Sequence, residues 1–247
     1  MTVVVAIHQP NYLPWLGFFG KALDSDVFVL HDNVQFEKGG YTNRVRIKGS
    51  QGAQWLTQPV FTHGRAYQEI RHVELVGSDW RREHLRFLRS AYGRAPHFQP
   101  YFGQLSEILS DQSPSLVTCN ARLIDWVFGV LGLRPRLVQA SDLVREATDP
   151  TERLIRLVKA VGGDTYLSGG GGFNYQDLTA FDRAGIRVRR SRSLFPAYPQ
   201  RWGAFVPGLS IVDLLFNCGP TSRAYLAQGA VEAEAMPVGS SVGAGQP

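Results

Sequence analysis

Near its start the chain alternates strand-like and helix-like segments in an order that leaves few folds open. The apolar, β-branched run Val3-Val4-Val5-Ala6-Ile7 has the length and composition of a strand buried on both faces, and it stops at His8-Gln9-Pro10-Asn11-Tyr12-Leu13-Pro14-Trp15. Leu16 to Leu23 then reads as a short helix packed through Trp15, Phe18, Phe19 and Leu23, and Asp26-Val27-Phe28-Val29-Leu30-His31-Asp32 as a second buried strand with a polar end. Strand, short helix, strand is the signature of a parallel sheet with a right-handed crossover. Both strands would deliver their polar ends, His8-Gln9 and His31-Asp32, to one edge of the sheet, which is where open α/β sheets bind ligands.

Pro10 and Pro14 fix φ and push the residues before them, Gln9 and Leu13, toward extended geometry. His8, Gln9, Asn11 and Tyr12 then sit on a stiff, non-helical turn. Two readings of His8 stay open: a hydrogen-bonded core histidine, or a member of a site with its polar neighbours.

Downstream, Asn43 to Lys48 alternates after a Gly-Gly turn, and a further Gly-bearing turn leads to Gln54-Trp55-Leu56-Thr57-Gln58-Pro59-Val60, an antiparallel excursion. Asn43 and Arg44 lie at its start, where they can still face the first loop. Helical patterns follow over Asp79 to Leu88, Phe102 to Leu109 and Ser115 to Leu131, making 79–133 a helical subregion. Strands are expected at Arg136 to Gln139, Thr165 to Ser168 and Ile186 to Arg190, and helices at Thr151 to Val161, Tyr175 to Ala184 and Leu209 to Cys218. The expected fold is α/β: a mostly parallel, three-layer sheet with a helical middle segment and an antiparallel excursion, forming one catalytic domain over 1–227. From 228 to 247 the chain turns to Ala, Glu, Gly and Ser, the composition of a disordered tail.

An apolar share of 44% is globular, and no run of about 18 apolar residues exists to span a membrane. The amino terminus lacks a signal-peptide pattern. Two cysteines, Cys119 and Cys218, are too few for a disulfide framework or a zinc cluster, so a cytoplasmic, reduced setting is expected. The histidines show no ligand spacing, and neither a metal nor a cofactor is called for. A net charge of +5 favours anionic partners; the arginine clusters at 81–89 and 187–192 could meet nucleic acid, but a small phosphorylated or carrier-bound substrate explains the charge as well.

Three further groups carry candidate chemistry. Ser168-Gly169-Gly170-Gly171-Gly172-Phe173-Asn174-Tyr175 follows a strand and opens a helix, so its amides could hold a phosphate, a carboxylate or an oxyanion, or the glycines could form a plain turn. Ser210, Asp213 and Asn217 make a polar stripe on an apolar helix, which demands buried partners or a ligand. Cys218 lies on the apolar side of that helix at its carboxyl end, which disfavours a thiolate unless His8 or an arginine lies beside it. Asp32 reads either as the group that orients His8 or as a cap for the turn at Asn33.

Taken together, His8 to Phe19, Asp32-Asn33-Val34-Gln35-Phe36, Thr42-Asn43-Arg44, Ser168-Gly169 with Asn174-Tyr175, and Leu209 to Gly219 resemble the WbqC-like family, from Val4 to about Pro220. The family is associated with bacterial surface-polysaccharide and specialised-metabolite gene sets, and glycine or other aminoacyl transfer has been proposed for some members. The resemblance therefore implies an acyl- or aminoacyltransferase acting on a sugar or amine acceptor. It carries over His8, Gln9, Asn11, Tyr12, Asp32, Asn43, Arg44, Asp213, Asn217 and Cys218. The four-glycine run is longer than the family pattern.

On this footing His8, Asp32 and Cys218 are the expected catalytic residues. Gln9, Asn11, Tyr12, Asn43, Arg44, Ser168, Gly169, Tyr175, Asp213 and Asn217 are expected to bind a thioester or aminoacyl-tRNA donor and its acceptor. Two competing readings are an ATP-using ligase or nucleotidyltransferase, whose second histidine close after the first is missing, and a non-catalytic small-molecule binding protein.

Overall fold

The strand pattern of the first residues sorts the whole molecule into layers. The computed structural model of the chain describes residues 2–65, 67–144, 149–169 and 176–235. In β1 (Val4–His8) and β2 (Val27–Leu30) successive side chains point to opposite faces, and both faces are apolar. Val4, Ala6, Phe28 and Leu30 join one core; Val5, Ile7, Val27 and Val29 join another.

The larger core holds α1 (Leu16–Leu23), α4 (Leu116–Leu131), α8 (Ile211–Cys218) and α9 (Ser222–Gly229), with α2 (Asp79–Tyr92) and α3 (Phe98–Ser110) packed beyond them. The smaller core holds α5 (Ala140–Leu143), α6 (Pro150–Ala160) and α7 (Leu178–Arg183). Helices thus cover both faces of the sheet, as buried parallel strands require.

Among the described residues the sheet also contains β5 (Arg136–Gln139), β6 (Thr165–Gly169), β7 (Arg187–Ser193) and β8 (Ala230–Ala235), in the order β5-β2-β1-β6-β7-β8. The first five strands are parallel and β8 is antiparallel to β7. The antiparallel excursion is a separate two-stranded sheet of β3 (Arg44–Gly49) and β4 (Gly52–Thr57). The chain winds outward from β1 in both directions, so the strand order reverses between β1 and β6. That reversal opens a crevice at their carboxyl ends.

Caps set the helix limits. Ser115 accepts from the Thr118 amide at 3.2 Å, and Gly132, at φ +64°, ends α4 in the left-handed conformation that glycine adopts without a steric penalty. Asp149 accepts from the Glu152 amide at 2.8 Å and Pro150 occupies the first turn of α6.

Two expectations are corrected. Leu13 is not extended: it takes φ +40°, a conformation costing about 1–3 kcal/mol for a non-glycine residue. Its surroundings impose this, because Ser210 Oγ donates to the Leu13 carbonyl at 2.8 Å and the Ile211 amide to the Pro14 carbonyl at 2.8 Å. The expected tail, in turn, begins with a strand. β8 supplies hydrogen bonds to β7, and β-pairing on a free edge needs little apolar side-chain surface. Residues 236–247 lie outside the described residues.

Candidate functional site

At the strand reversal lies a cavity of about 970 Å³. His8 and Gln9 reach it from the end of β1, His31 from just past β2, Gly169 from β6 and Arg190 from β7. Lys21 enters from α1 and Arg153 from α6, and Trp15 forms part of the wall.

His8 is half-buried, with its ring edge-on to Trp15 at 5.7 Å and Phe18 at 4.8 Å between centroids. Its Nδ1 lies 3.1 Å from the Gln9 carbonyl. A carbonyl only accepts, so Nδ1 carries the proton and Nε2 keeps its lone pair for a ligand. Burial, reinforced by the Lys21 charge, pulls the His8 pKa down to about 3. The ring is therefore neutral at pH 7.

Lys21 is 5% exposed. Its Nζ donates to the Ile7 carbonyl at 3.2 Å, and burial lowers its pKa to about 8. Gly169 makes room for it: a Cβ there would sit 3.3 Å from Nζ. His31 is held neutral by burial and by the Arg153 charge, its pKa pulled down to about 4, and its Nε2 is buried without a hydrogen-bond partner.

Tyr166 and Gln176 complete the floor: Gln176 Nε2 donates to the Tyr166 hydroxyl at 3.3 Å, and Ser168 Oγ donates to Gln176 Oε1 at 3.2 Å. Ser168 thus positions Gln176 rather than lining the cavity. Gln9 is steadied by Thr42, whose hydroxyl donates to Gln9 Oε1 at 3.3 Å.

Of the residues singled out from the sequence, His8, Gln9 and Gly169 line this cavity and several others do not. Asp32 does not orient His8. It is fully buried and accepts from the Ser141 amide at 2.9 Å and the Ser141 hydroxyl at 2.6 Å, so it ties the end of β2 to the start of α5. Cys218 belongs to the larger core, where burial first and Asp213 second push its pKa up to about 11, which disfavours the thiolate.

Asp213 Oδ2 accepts from the Tyr92 hydroxyl at 2.6 Å and Asn217 Nδ2 donates to the Asp213 backbone carbonyl at 2.7 Å, while Asp213 Oδ1 is buried without a hydrogen-bond partner, so protein groups answer the polar stripe of α8 in part. Tyr12 is fully buried, with its hydroxyl 2.9 Å from His84 Nδ1. Asn43 Nδ2 donates to the Gln58 carbonyl at 2.9 Å, and the Arg44 guanidinium lies 4.2 Å from the Trp55 ring centroid. Asn11 is buried, its Oδ1 without a hydrogen-bond partner, and is not among the residues lining the cavity. Tyr175 and the glycines from 170 to 172 lie outside the described residues.

The WbqC-like protein family profile matches residues 9–225. The chain belongs to the WbqC-like family. A relative, the Uncharacterized protein Rv1507c of Mycobacterium tuberculosis (strain ATCC 25618 / H37Rv), is 39% identical over 224 residues, covering 90% of this chain and 96% of the relative. No solved structure matches the chain. The WbqC-like span takes in Lys21, Arg153, Tyr166 and Gln176, which sequence reasoning passed over, and His31 and Arg190, which it had named at a strand end and in a basic cluster. Lys21 had left a signal: it is the one charged residue in the apolar helix Leu-Gly-Phe-Phe-Gly-Lys-Ala-Leu. Arg153 had left none, since it comes from a surface-like helical pattern far along the chain. Among the described residues no helix is long and apolar enough to cross a membrane.

Proposed function

We propose that this WbqC-like protein is an acyl- or aminoacyltransferase that forms an amide or ester on a sugar or specialised-metabolite acceptor by direct transfer in the crevice. The observation that carries the reading is a neutral His8 whose Nε2 remains open to a ligand at the strand reversal, beside the ammonium of Lys21. In the step envisaged, the acceptor nitrogen or hydroxyl oxygen attacks the carbonyl carbon of a thioester or ester donor. His8 Nε2 takes the proton from the acceptor as the new C–N or C–O bond forms. Lys21 faces the oxyanion of the tetrahedral intermediate; on its collapse the C–S or C–O bond to the carrier breaks, and His8 returns the proton to the leaving group. Cys218 takes no covalent part.

Incubation of the intact protein with aminoacyl thioesters and an amine acceptor tests this by product formation and protein mass. Turnover lost in His8→Ala, kept in Cys218→Ser, and unaccompanied by a mass gain supports direct transfer. An acyl adduct on wild type that disappears in Cys218→Ser, along with turnover, refutes it.

One observation favours a second reading. The strand order and the lysine and arginines in the crevice also suit an ATP-dependent ligase or nucleotidyltransferase. Pyrophosphate or phosphate release from ATP that depends on the acceptor would select it.

A further inference from the structure

The crevice does not end at Trp15. From this ring, which lines the cavity beside His8, a row of aromatic contacts runs out to the surface. Trp15 meets Tyr41 at 5.0 Å between ring centroids, and Tyr41 meets Trp55 at 5.6 Å. Tyr41 and Trp55 are each 44% exposed, so two large rings stand side by side in water next to the cavity wall. Their backbones are held by the fold. The Tyr12 amide donates to the Tyr41 carbonyl at 3.2 Å, Asn120 Nδ2 donates to the Thr42 carbonyl at 2.7 Å, and Trp55 pairs with Arg46 across β3 and β4. A platform fixed before a ligand arrives costs little ordering on binding.

Arg44 closes the outer end of the row. Its guanidinium lies 4.2 Å from the Trp55 ring centroid and against Gly39, where a Cβ would sit 3.5 Å from an Nη. A guanidinium stacked by its face keeps its N–H edge available for an anion. Among the described residues no carboxylate forms an ion pair with Arg44, and its buried Nε has no hydrogen-bond partner. The exposed pair of Phe61 and Arg65 differs on this point, since Arg65 Nη2 lies 3.3 Å from a Glu74 oxygen.

Exposed rings ending in an arginine suit a ligand with a flat π-face and a phosphate. A sugar ring also stacks on aromatics, but its hydroxyl groups need polar side chains beside it. Thr42 and Asn43, which follow Tyr41, are instead turned to the protein: the Thr42 hydroxyl donates to Gln9 Oε1 at 3.3 Å and Asn43 Nδ2 to the Gln58 carbonyl at 2.9 Å. We propose that Tyr41 and Trp55 stack the base of a nucleotide and Arg44 binds its phosphate, so that the donor carries its acyl or aminoacyl group on a nucleotide. The proposal rests on the reading of the crevice as the transfer site: with the base on the outer rings, the group it carries extends along Trp15 toward His8 and Lys21. A free nucleotide carrier and the unpaired 3′ end of an RNA share this chemistry, and the length of the probe separates them.

Isothermal titration calorimetry of the full chain, in low-salt buffer at pH 7, tests this without requiring turnover. The probes are adenosine 5′-monophosphate, ribose 5-phosphate, methyl glucoside and the ribotrinucleotide CCA. Saturable binding of adenosine monophosphate is expected, about tenfold or more tighter than that of ribose 5-phosphate, which has no base to stack. Trp55→Ala and Arg44→Gln should each weaken it about tenfold, Trp55→Phe should keep most of it, and added salt should weaken binding less in Arg44→Gln than in wild type. Phe61→Ala, an exposed aromatic off the row, should change it less than about twofold. Circular dichroism of each variant confirms that a loss of binding is not a loss of fold. Tighter binding of the trinucleotide than of adenosine monophosphate identifies an RNA end as the carrier, and equal binding a free nucleotide. Adenosine monophosphate bound no better than ribose 5-phosphate, methyl glucoside bound more tightly than either, or nucleotide binding untouched by both Trp55→Ala and Arg44→Gln would each overturn the nucleotide site. Transfer from a donor without a nucleotide, by a protein that binds none, sinks this inference and spares the transfer reading; nucleotide binding that depends on Trp55, with no transfer, does the reverse.

Discussion

Lys21→Met should make the protein more stable while disabling its crevice. Burial lowers the Lys21 pKa from 10.5 to about 8, a difference of about 2.5. At 1.36 kcal/mol per pKa unit, the folded state carries a penalty of about 3 kcal/mol at neutral pH for holding this ammonium out of water. Methionine has nearly the same length, fills the same space beside the Ile7 carbonyl and Gly169, and has no charge to desolvate. Against this stands the hydrogen bond to the Ile7 carbonyl at 3.2 Å, whose loss costs about 1 kcal/mol. The net gain is about 2 kcal/mol, which for a chain of this size is about 4–8 °C in Tm. The pH dependence gives a sharper signature. The unfolded chain binds the Lys21 proton up to 10.5 and the folded chain only up to about 8, so the wild-type penalty is fully present below pH 8 and is relieved as pH rises toward 10.5. Wild type should therefore gain about 3 kcal/mol relative to Lys21→Met across that window, which cancels the variant's advantage and leaves wild type ahead by about 1 kcal/mol. His8 and His31, which line the same cavity, are already neutral in this range. Urea titrations of both proteins from pH 7 to 10.5 measure it. A less stable Lys21→Met at pH 7, or a stability difference that is flat with pH, would refute the account of a solvent-starved ammonium.

Cys218→Ser should leave any transfer activity within about twofold of wild type, because the thiol sits in apolar core with its pKa pushed up to about 11; progress curves at equal enzyme concentration check it. Asp32→Ala should cost about 2–4 kcal/mol of stability, read by urea unfolding, because both Ser141 donors lose a charged acceptor in a buried site, and it should leave the pH profile of turnover unshifted. Burial raises the Asp213 pKa above 3.8, so the folded state binds more protons than the unfolded one just above that value and stability falls as pH climbs through this window. Asp213→Asn should flatten that fall, since an amide oxygen still accepts from Tyr92; thermal melts from pH 3.5 to 7 measure it. Tyr12→Phe should cost about 1 kcal/mol through the lost bond to His84 and leave ligand binding in the crevice intact by calorimetry.

The local pattern of the chain fixed much of this architecture unaided. Burial on both faces of Val4 to His8 and Val27 to Leu30 can be read from their continuous apolar runs, and their parallel pairing follows from the short helix between them. The same order put His8 and Gln9 at a strand end, where the cavity is found. The helix ranges were legible in part because caps such as Ser115, Asp149 and Gly132 satisfy or terminate a helix through neighbouring residues alone. The partners of the polar side chains were not legible, because each is chosen by packing between segments far apart in sequence. Asp32 and Ser141 are 109 residues apart and Tyr92 and Asp213 are 121 apart, and nothing in either local stretch says whether a buried carboxylate will meet a histidine, a hydroxyl or a ligand. The cationic wall of Lys21, Arg153 and Arg190 came from three elements that share a surface only after the sheet closes between β1 and β6, which only the tertiary structure decided. Periodicity encodes which face of an element is buried; it carries no record of what that face is buried against.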